Sequence, residues 1–354
     1  MTRVGIPQGL FYYYYYPLWK TFFQDLGAEV VCSEDTSRKT VEMGIQAAVD
    51  ETCFPIKVYF GHVRELCSAD VDYVFIPRIV SVEPRSYICP KFMGVPDMIR
   101  AAFPDLPPMI SPVVDVSKTD QRLKKEIIQV GRLLTRKTGL IKKAYLHGLK
   151  ELAECENLAA KGLTRTEAIR FWEGEAISIP AKWDLNIGVL GHGYSLYDKL
   201  ISLNLINRLR EMGCRVHLVE MMDQDMMEQQ AATMPKRVFW TLGRRIVGSA
   251  LCMKEQEDID GIIYLACFGC GPDSLIGDIV ERKVNGKPWM LLTIDEHTGE
   301  AGMVTRLEAF VDMLRRRKMI NVKGDLPAYG KSTYCAGGAA GRIEVGGHSA
   351  AAYQ

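Results

Sequence analysis

The stretch Gly261–Lys283, GIIYLACFGCGPDSLIGDIVERK, decides how the chain is read. Gly261–Ala266 is an unbroken apolar run, which predicts a strand buried on both faces. A loop of Gly and Pro follows, carrying Cys267 and Cys270, and Asp273–Lys283 reads as a helix. Strand, short loop and helix make half of a βαβ unit, and a series of such units gives a parallel sheet. In open sheets of this kind ligands collect at the carboxyl ends of the strands, which is where the two cysteines fall.

The same alternation extends on both sides. Leu185–Leu190, Arg215–Val219 and Trp289–Ile294 read as strands, and Leu196–Glu211, Val238–Met253 and Thr305–Arg317 as helices. Near the start, Arg3–Pro7, Glu29–Cys32, Asp72–Pro77 and Pro108–Val114 read as strands. Tyr14–Leu26, Lys39–Val49 and Phe54–Leu66 read as helices. Lys118–Glu175 is charged and helix-periodic throughout, and predicts two or three helices. The expected organisation is α/β: two Rossmann-like open parallel-sheet domains, 1–117 and 183–323, joined by a helical connector, 118–182. The Gly/Ala-rich tail, 324–354, lacks an apolar period and is expected to be mobile or loosely docked.

Composition narrows the function classes. The chain has 354 residues, 44 Lys+Arg against 43 Asp+Glu, and a net charge of +1. That balance favours neither a nucleic-acid partner nor a membrane surface, and no apolar run reaches the ~18 residues of a membrane helix. A strand at Arg3–Pro7 predicts no secretory leader, so a cytoplasmic location is expected. Ten cysteines in that compartment are core residues, metal ligands or redox groups rather than disulfides.

Four cysteines share a setting. Cys267 and Cys270 follow a strand, with Gly269 and Gly271 allowing a tight loop whose amides can face sulfur. Cys53, in ETCFPIK, opens a helix, where free N–H groups and the dipole favour a thiolate. Cys89, in YICPK, precedes another helix-like stretch. Two come from each expected domain, so a metal centre between domains can use all four. The alternative is a lone CxxC dithiol with two core cysteines, since redox dithiols and zinc sites use the same spacing. Cys32 ends a strand and is the next candidate, although its apolar neighbours favour the core. Cys67, Cys155, Cys214 and Cys252 read as packing residues, and Cys335 lies in the tail.

Five segments carry a family resemblance: Phe11–Lys20 (FYYYYYPLWK), Val49–Lys57 (VDETCFPIK), Ile76–Pro90 (IPRIVSVEPRSYICP), Phe268–Ser274 (FGCGPDS) and Ile294–Asp312 (IDEHTGEAGMVTRLEAFVD). Through them the chain resembles the proteins related to 2-hydroxyacyl-CoA dehydratases and their activases, in particular the CoA-protein-activase-like subgroup. Benzoyl-CoA reductase subunits and double-cubane cluster proteins are relatives. The resemblance implies an iron–sulfur cluster in the cleft between the two domains, anaerobic chemistry, and electrons delivered by an ATP-dependent activase-type reductase. The chain carries no G-x-x-x-x-G-K-[ST] phosphate loop, which places it on the electron-accepting side. Cys53, Cys89, Cys267 and Cys270 occupy the family-like motifs, so one [4Fe–4S] cluster is implied ahead of a double-cubane [8Fe–9S] centre, which needs more ligands. A homodimer, or pairing with a related α/β subunit, follows by analogy.

Around those thiols, His192 (in GHGY), Glu296 and His297 (in DEHT) follow strand ends and are candidate catalytic groups. Glu296 and His297 form a candidate acid/base pair. For His192 the alternative is a solvated histidine in a turn. Glu300 and Arg306 are candidates to close that site, and Lys57 and Arg78 to tune the cluster's potential, with surface pairing as their alternative. Tyr12–Tyr16 read as a packed helix start with bonded phenols, and the methionines around Met221–Met227 as packing. The reading favoured is an iron–sulfur redox protein that passes electrons on or reduces a small substrate. The alternatives are a dehydratase-type enzyme subunit and a non-catalytic, metal-stabilised scaffold. The chain is thus read as at most a reductase or dehydratase-type component.

Overall fold

The computed structural model describes residues 1–179 and 182–323, with side chains through 319. The Gly/Ala-rich tail and Cys335 lie outside the described residues. Two four-stranded parallel sheets form the frame. The first is built from β1 (Arg3–Ile6), α1 (Tyr12–Asp25), β2 (Glu29–Cys32), α2 (Arg38–Ala47), α3 (Phe54–Cys67), β3 (Tyr73–Phe75), β4 (Arg78–Ser81), α4 (Pro90–Ala102), β5 (Met109–Ile110) and β6 (Val113–Asp115). Its order is β2-β1-β3-β5, while β4 and β6 pair separately as a two-stranded parallel ribbon.

Three helices follow: α5 (Gln121–Arg132), α6 (Thr138–Ala160) and α7 (Arg165–Trp172). The sequence places them as a connector. In the structure they also cover the first sheet, because Ile127, Val130, Ile141, Ala144, Leu152 and Ile169 share a core cluster with Trp19, Phe22, Phe23 and Phe75. The second half runs β7 (Leu185–Gly191), α8 (Gly193–Leu196), α9 (Leu205–Glu211), β8 (Cys214–Leu218), α10 (Gln224–Ala232), α11 (Thr241–Glu255), β9 (Gly261–Cys267), α12 (Gly271–Lys283), β10 (Trp289–Ile294) and α13 (Glu300–Lys323). Its sheet order is β10-β9-β7-β8. The central strand β9 is buried at every position, as its unbroken apolar run requires.

One expected helix is shorter than its period suggests. The reading Leu196–Glu211 is split into α8 and α9, because Leu203 and Asn204 adopt φ of 50° and 59°. Two consecutive left-handed residues cannot continue a right-handed helix. The helix-like stretch after Cys89 is α4, while α10 and the β4–β6 ribbon were not read from the sequence.

Both sheets lie within one compact unit, Met1–Arg315, and one apolar cluster runs across both. It takes Leu10, Phe54 and Phe92 from the first half and Leu185, Tyr194 and Ile263 from the second. The loop before α4 is stitched to the second half by backbone bonds: Tyr87 N–H donates to Phe239 O (2.9 Å), and Thr241 N–H to Tyr87 O (3.0 Å). Arg244 and Arg245 of α11 both pair with Glu83 of the same loop, and Arg244 also donates to Ser86 Oγ at 2.5 Å.

The helices α2 and α3 meet backbone to backbone. A Cβ at Gly61 would stand 1.9 Å from Thr40 O, and one at Gly44 would stand 1.9 Å from Lys57 O. Gly61→Ala therefore has to part the two helices. Overpacking of this kind costs about 1–3 kcal/mol when side chains yield, and backbone yields less, so a loss near the top of that range is expected in denaturant unfolding. A Gly61→Ala protein within about 0.5 kcal/mol of wild type would contradict the packing described.

Candidate metal centre

In the second sheet the chain passes from β7 outward to β8, then crosses back to lay β9 on the other side of β7. That reversal opens a crevice at the carboxyl ends of β7 and β9, the usual ligand position in open α/β sheets. Gly191 ends β7 there with His192 directly after it, and Cys267 is the last residue of β9. The loop turns back through Gly269 in the left-handed region (φ 71°), a conformation glycine adopts without strain.

Three of the four expected cysteines occupy the same structural position. Cys53, Cys89 and Cys270 are the residues just before α3, α4 and α12, each with a proline in the first helical turn, where its missing N–H costs nothing. The first-turn amides of Ile56, of Lys91 and Phe92, and of Asp273 act on these sulfurs and favour their thiolates. Burial dominates nonetheless. It pushes the Cys53 thiol up to about 11, and raises those of Cys89, Cys267 and Cys270 as well. Desolvation penalises a bare thiolate, so all four are neutral at pH 7 without a cation beside them.

The four sulfurs are within electrostatic reach of a common neighbourhood. Charge on Cys89 raises the Cys53 thiol, and Cys53 raises both Cys267 and Cys270. Asp273 raises all four. Among the described residues none is disulfide-bonded. Two pairs from separate halves of the chain are thus coupled to one buried carboxylate.

Asp273 is the central residue that sequence reading missed. It is 2% exposed, and its carboxylate is held on both oxygens. Tyr264 O–H donates to Oδ1 and Cys267 N–H to Oδ2, each at 2.9 Å. His192 Nε2 lies 3.2 Å from Oδ1. The motif CGPDS carried the signal, since an acid in the first turn of a helix beside two cysteines is a ready ligand or ligand partner. His192 is not the solvated turn residue of the alternative reading: it is 5% exposed and stacks on Tyr194 with ring centroids 4.9 Å apart. Its Nδ1 is buried without a partner among the described residues. Ser195 Oγ lies 3.3 Å from Cys267 Sγ, and Tyr14 O–H accepts from Gly193 N–H at 2.9 Å.

The remaining candidates are distributed differently. Glu296 is ion-paired with Lys57 of α3, so its carboxylate engages an ammonium rather than an imidazole. Burial works against its charge, but the Lys57 ammonium, together with the backbone N–H of Glu296 and the nearby His297, outweighs burial and holds Glu296 below the ordinary carboxylate range. His297 is exposed, and its N–H donates to Asp295 Oδ1 at 3.0 Å. Arg306 donates to Leu291 O at 2.7 Å, Glu300 pairs with Arg208, and Arg78 pairs with Asp97 at 2.8 Å.

Among the other cysteines, Cys32 is half-buried beside Tyr12 and Tyr16 and lines a different cavity with Asp35 and Glu173. Cys155, Cys214 and Cys252 are buried and Cys67 half-buried in helices or strand edges. Of the tyrosine run, Tyr13, Tyr14 and Tyr16 are buried, and Tyr16 donates to Glu173 Oε1 at 3.0 Å.

Four free thiols within electrostatic reach of Asp273, with amide donors at three helix starts, are a donor set that fits a thiolate-held iron–sulfur cluster. Comparison with known proteins adds a family. Residues 3–222 match the model described as a CoA enzyme activase uncharacterised domain, a span that includes Cys53, Cys89 and His192 and stops short of Cys267 and Cys270. No curated protein matches the chain.

Proposed function

Because the chain belongs to the family of the CoA enzyme activase uncharacterised domain, we propose that Cys53, Cys89, Cys267 and Cys270 hold one [4Fe–4S] cluster, and that the protein accepts low-potential electrons from an ATP-dependent activase-type reductase. The observation that supports this reading is a set of four free thiols, two from each half of the chain, each within electrostatic reach of Asp273 beside the CxxC loop. Within the resembling group, the favoured place is the electron-accepting side of a dehydratase- or reductase-type system.

A bound cluster supplies one-electron chemistry at low potential. The chain's own residues set the conditions for it. Buried apolar neighbours such as Phe54, Phe92 and Tyr194 keep water from the sulfurs. The first-turn amides donate toward thiolate charge, which lowers the cost of holding it in a dry site. Asp273 opposes added negative charge. Phe268, at the tip of the CxxC loop, is 69% exposed, so the thiols on either side of it lie one residue from the surface where a redox partner docks. No helix among the described residues is long and apolar enough to cross a membrane.

The test is metal and sulfide analysis of anaerobically purified protein, with electron paramagnetic resonance of the dithionite-reduced form. About four irons and four sulfides per chain and a reduced-cluster signal are expected. About eight irons would indicate the double-cubane centre instead. A colourless protein that takes up no iron on reconstitution rules the reading out.

A further inference from the structure

We infer that the cluster-free chain has a site for a single thiophilic divalent cation of the zinc type, formed by His192, Cys270 and Asp273. One ligand atom from each lies within 4.8 Å of the others, and all three residues are buried. They come from the end of β7, the residue before α12 and the first turn of α12, so the fold and not chain proximity brings His192 to the pair. The 3.2 Å between His192 Nε2 and Asp273 Oδ1 suits two ligands of one ion. Zinc bonds to nitrogen and oxygen are roughly 2.0–2.2 Å, and a tetrahedral edge is then about 3.3–3.6 Å. One nitrogen, one sulfur and one oxygen are donors that zinc accepts together.

The supporting contacts suit a metal site as well. Tyr264 O–H and Cys267 N–H already fix the Asp273 carboxylate, and stacking on Tyr194 fixes the imidazole plane. Outer contacts of this kind hold metal ligands in place. Binding replaces the S–H proton of Cys270 with a metal–sulfur bond. The displaced proton passes to solvent, and no atom changes oxidation state. Cys270 is common to this site and to the four-thiol set, so the single ion and the cluster exclude one another. That exclusion alone rests on the proposed function; the ion site itself is tested on the cluster-free chain.

The experiment titrates metal-free, reduced full-length protein with Co²⁺ and Zn²⁺ anaerobically. One Co²⁺ per chain with a thiolate-to-cobalt charge-transfer band is expected. Loss of an outer partner typically weakens metal binding about 10–100-fold, so His192→Ala and Cys270→Ser, which remove a ligand, are expected to weaken it by more than that. Cys155→Ser, at a buried cysteine packed between α6 and α7, is expected to bind Co²⁺ as wild type does. X-ray absorption of the Zn²⁺-loaded wild type, which needs no variant to fold, is expected to show one sulfur among nitrogen and oxygen neighbours. Three or four sulfurs, unaltered Co²⁺ binding by His192→Ala, or no thiolate band in wild type overturns the inference. Failure of the cluster reading is seen separately, as metal-free protein that incorporates no iron and sulfide. If both readings hold, prior loading with Zn²⁺ blocks cluster reconstitution.

Discussion

Replacing any one of Cys53, Cys89, Cys267 or Cys270 by serine is expected to cut iron retained after anaerobic reconstitution and gel filtration to under about a tenth of wild type, while Cys155→Ser retains it fully. The size of the effect follows from the chemistry of the site. A cluster replaces water-excluded, neutral thiols with thiolates neutralised by iron, and a serine hydroxyl at pH 7 does not supply that charge. The amides at the starts of α3, α4 and α12 then face an oxygen of the wrong acidity. Cys155 is the matched control: it is also buried, but its Sγ faces Ala168 O at 3.9 Å within the α6–α7 packing. Thermal unfolding of the metal-free variants separates ligand loss from misfolding. If all four serine variants fold as wild type and retain iron, or if Cys155→Ser alone loses it, the ligand set is wrong.

The fold was legible where a single element carries its own signal. An apolar run such as Gly261–Ala266 has no polar face to offer solvent, so a central parallel strand was its natural home, and Trp289–Ile294 and Glu29–Cys32 keep their read boundaries. The positions of the four cysteines were legible for a related reason, because helix starts and strand ends are local features. What was not legible depends on strand order. His192 and Asp273 lie 81 positions apart in sequence, and only the placement of β9 beside β7 lets them touch. The left-handed pair Leu203-Asn204 was hidden because neither residue announces a break as glycine or proline does. Lys57 looked equally suited to the surface, since its partner Glu296 is 239 positions away.

That partner makes the second large effect calculable. Lys57 and Glu296 bond with side chains only 7% and 15% exposed, and they join α3, which begins just after Cys53, to the loop after β10. Removing one member of a buried pair leaves the other charged in a dry site, which costs about 3–5 kcal/mol. The residual exposure of Glu296 lets water reach it, so Lys57→Met is expected near 3 kcal/mol in denaturant unfolding of the metal-free protein. Lys57→Met with Glu296→Gln is expected to recover most of that loss, because no uncompensated charge remains. The pH dependence has a definite sign. Glu296 is held below its ordinary 4.5 in the folded chain, so its share of stability is fully present above pH 4.5 and drains away as pH falls through the lowered value. The advantage of wild type over Lys57→Met therefore shrinks on acidification below pH 4.5. A single variant as stable as the double one at pH 7, or a wild-type advantage that grows in acid, would mean that Lys57 and Glu296 do not depend on each other for their charge.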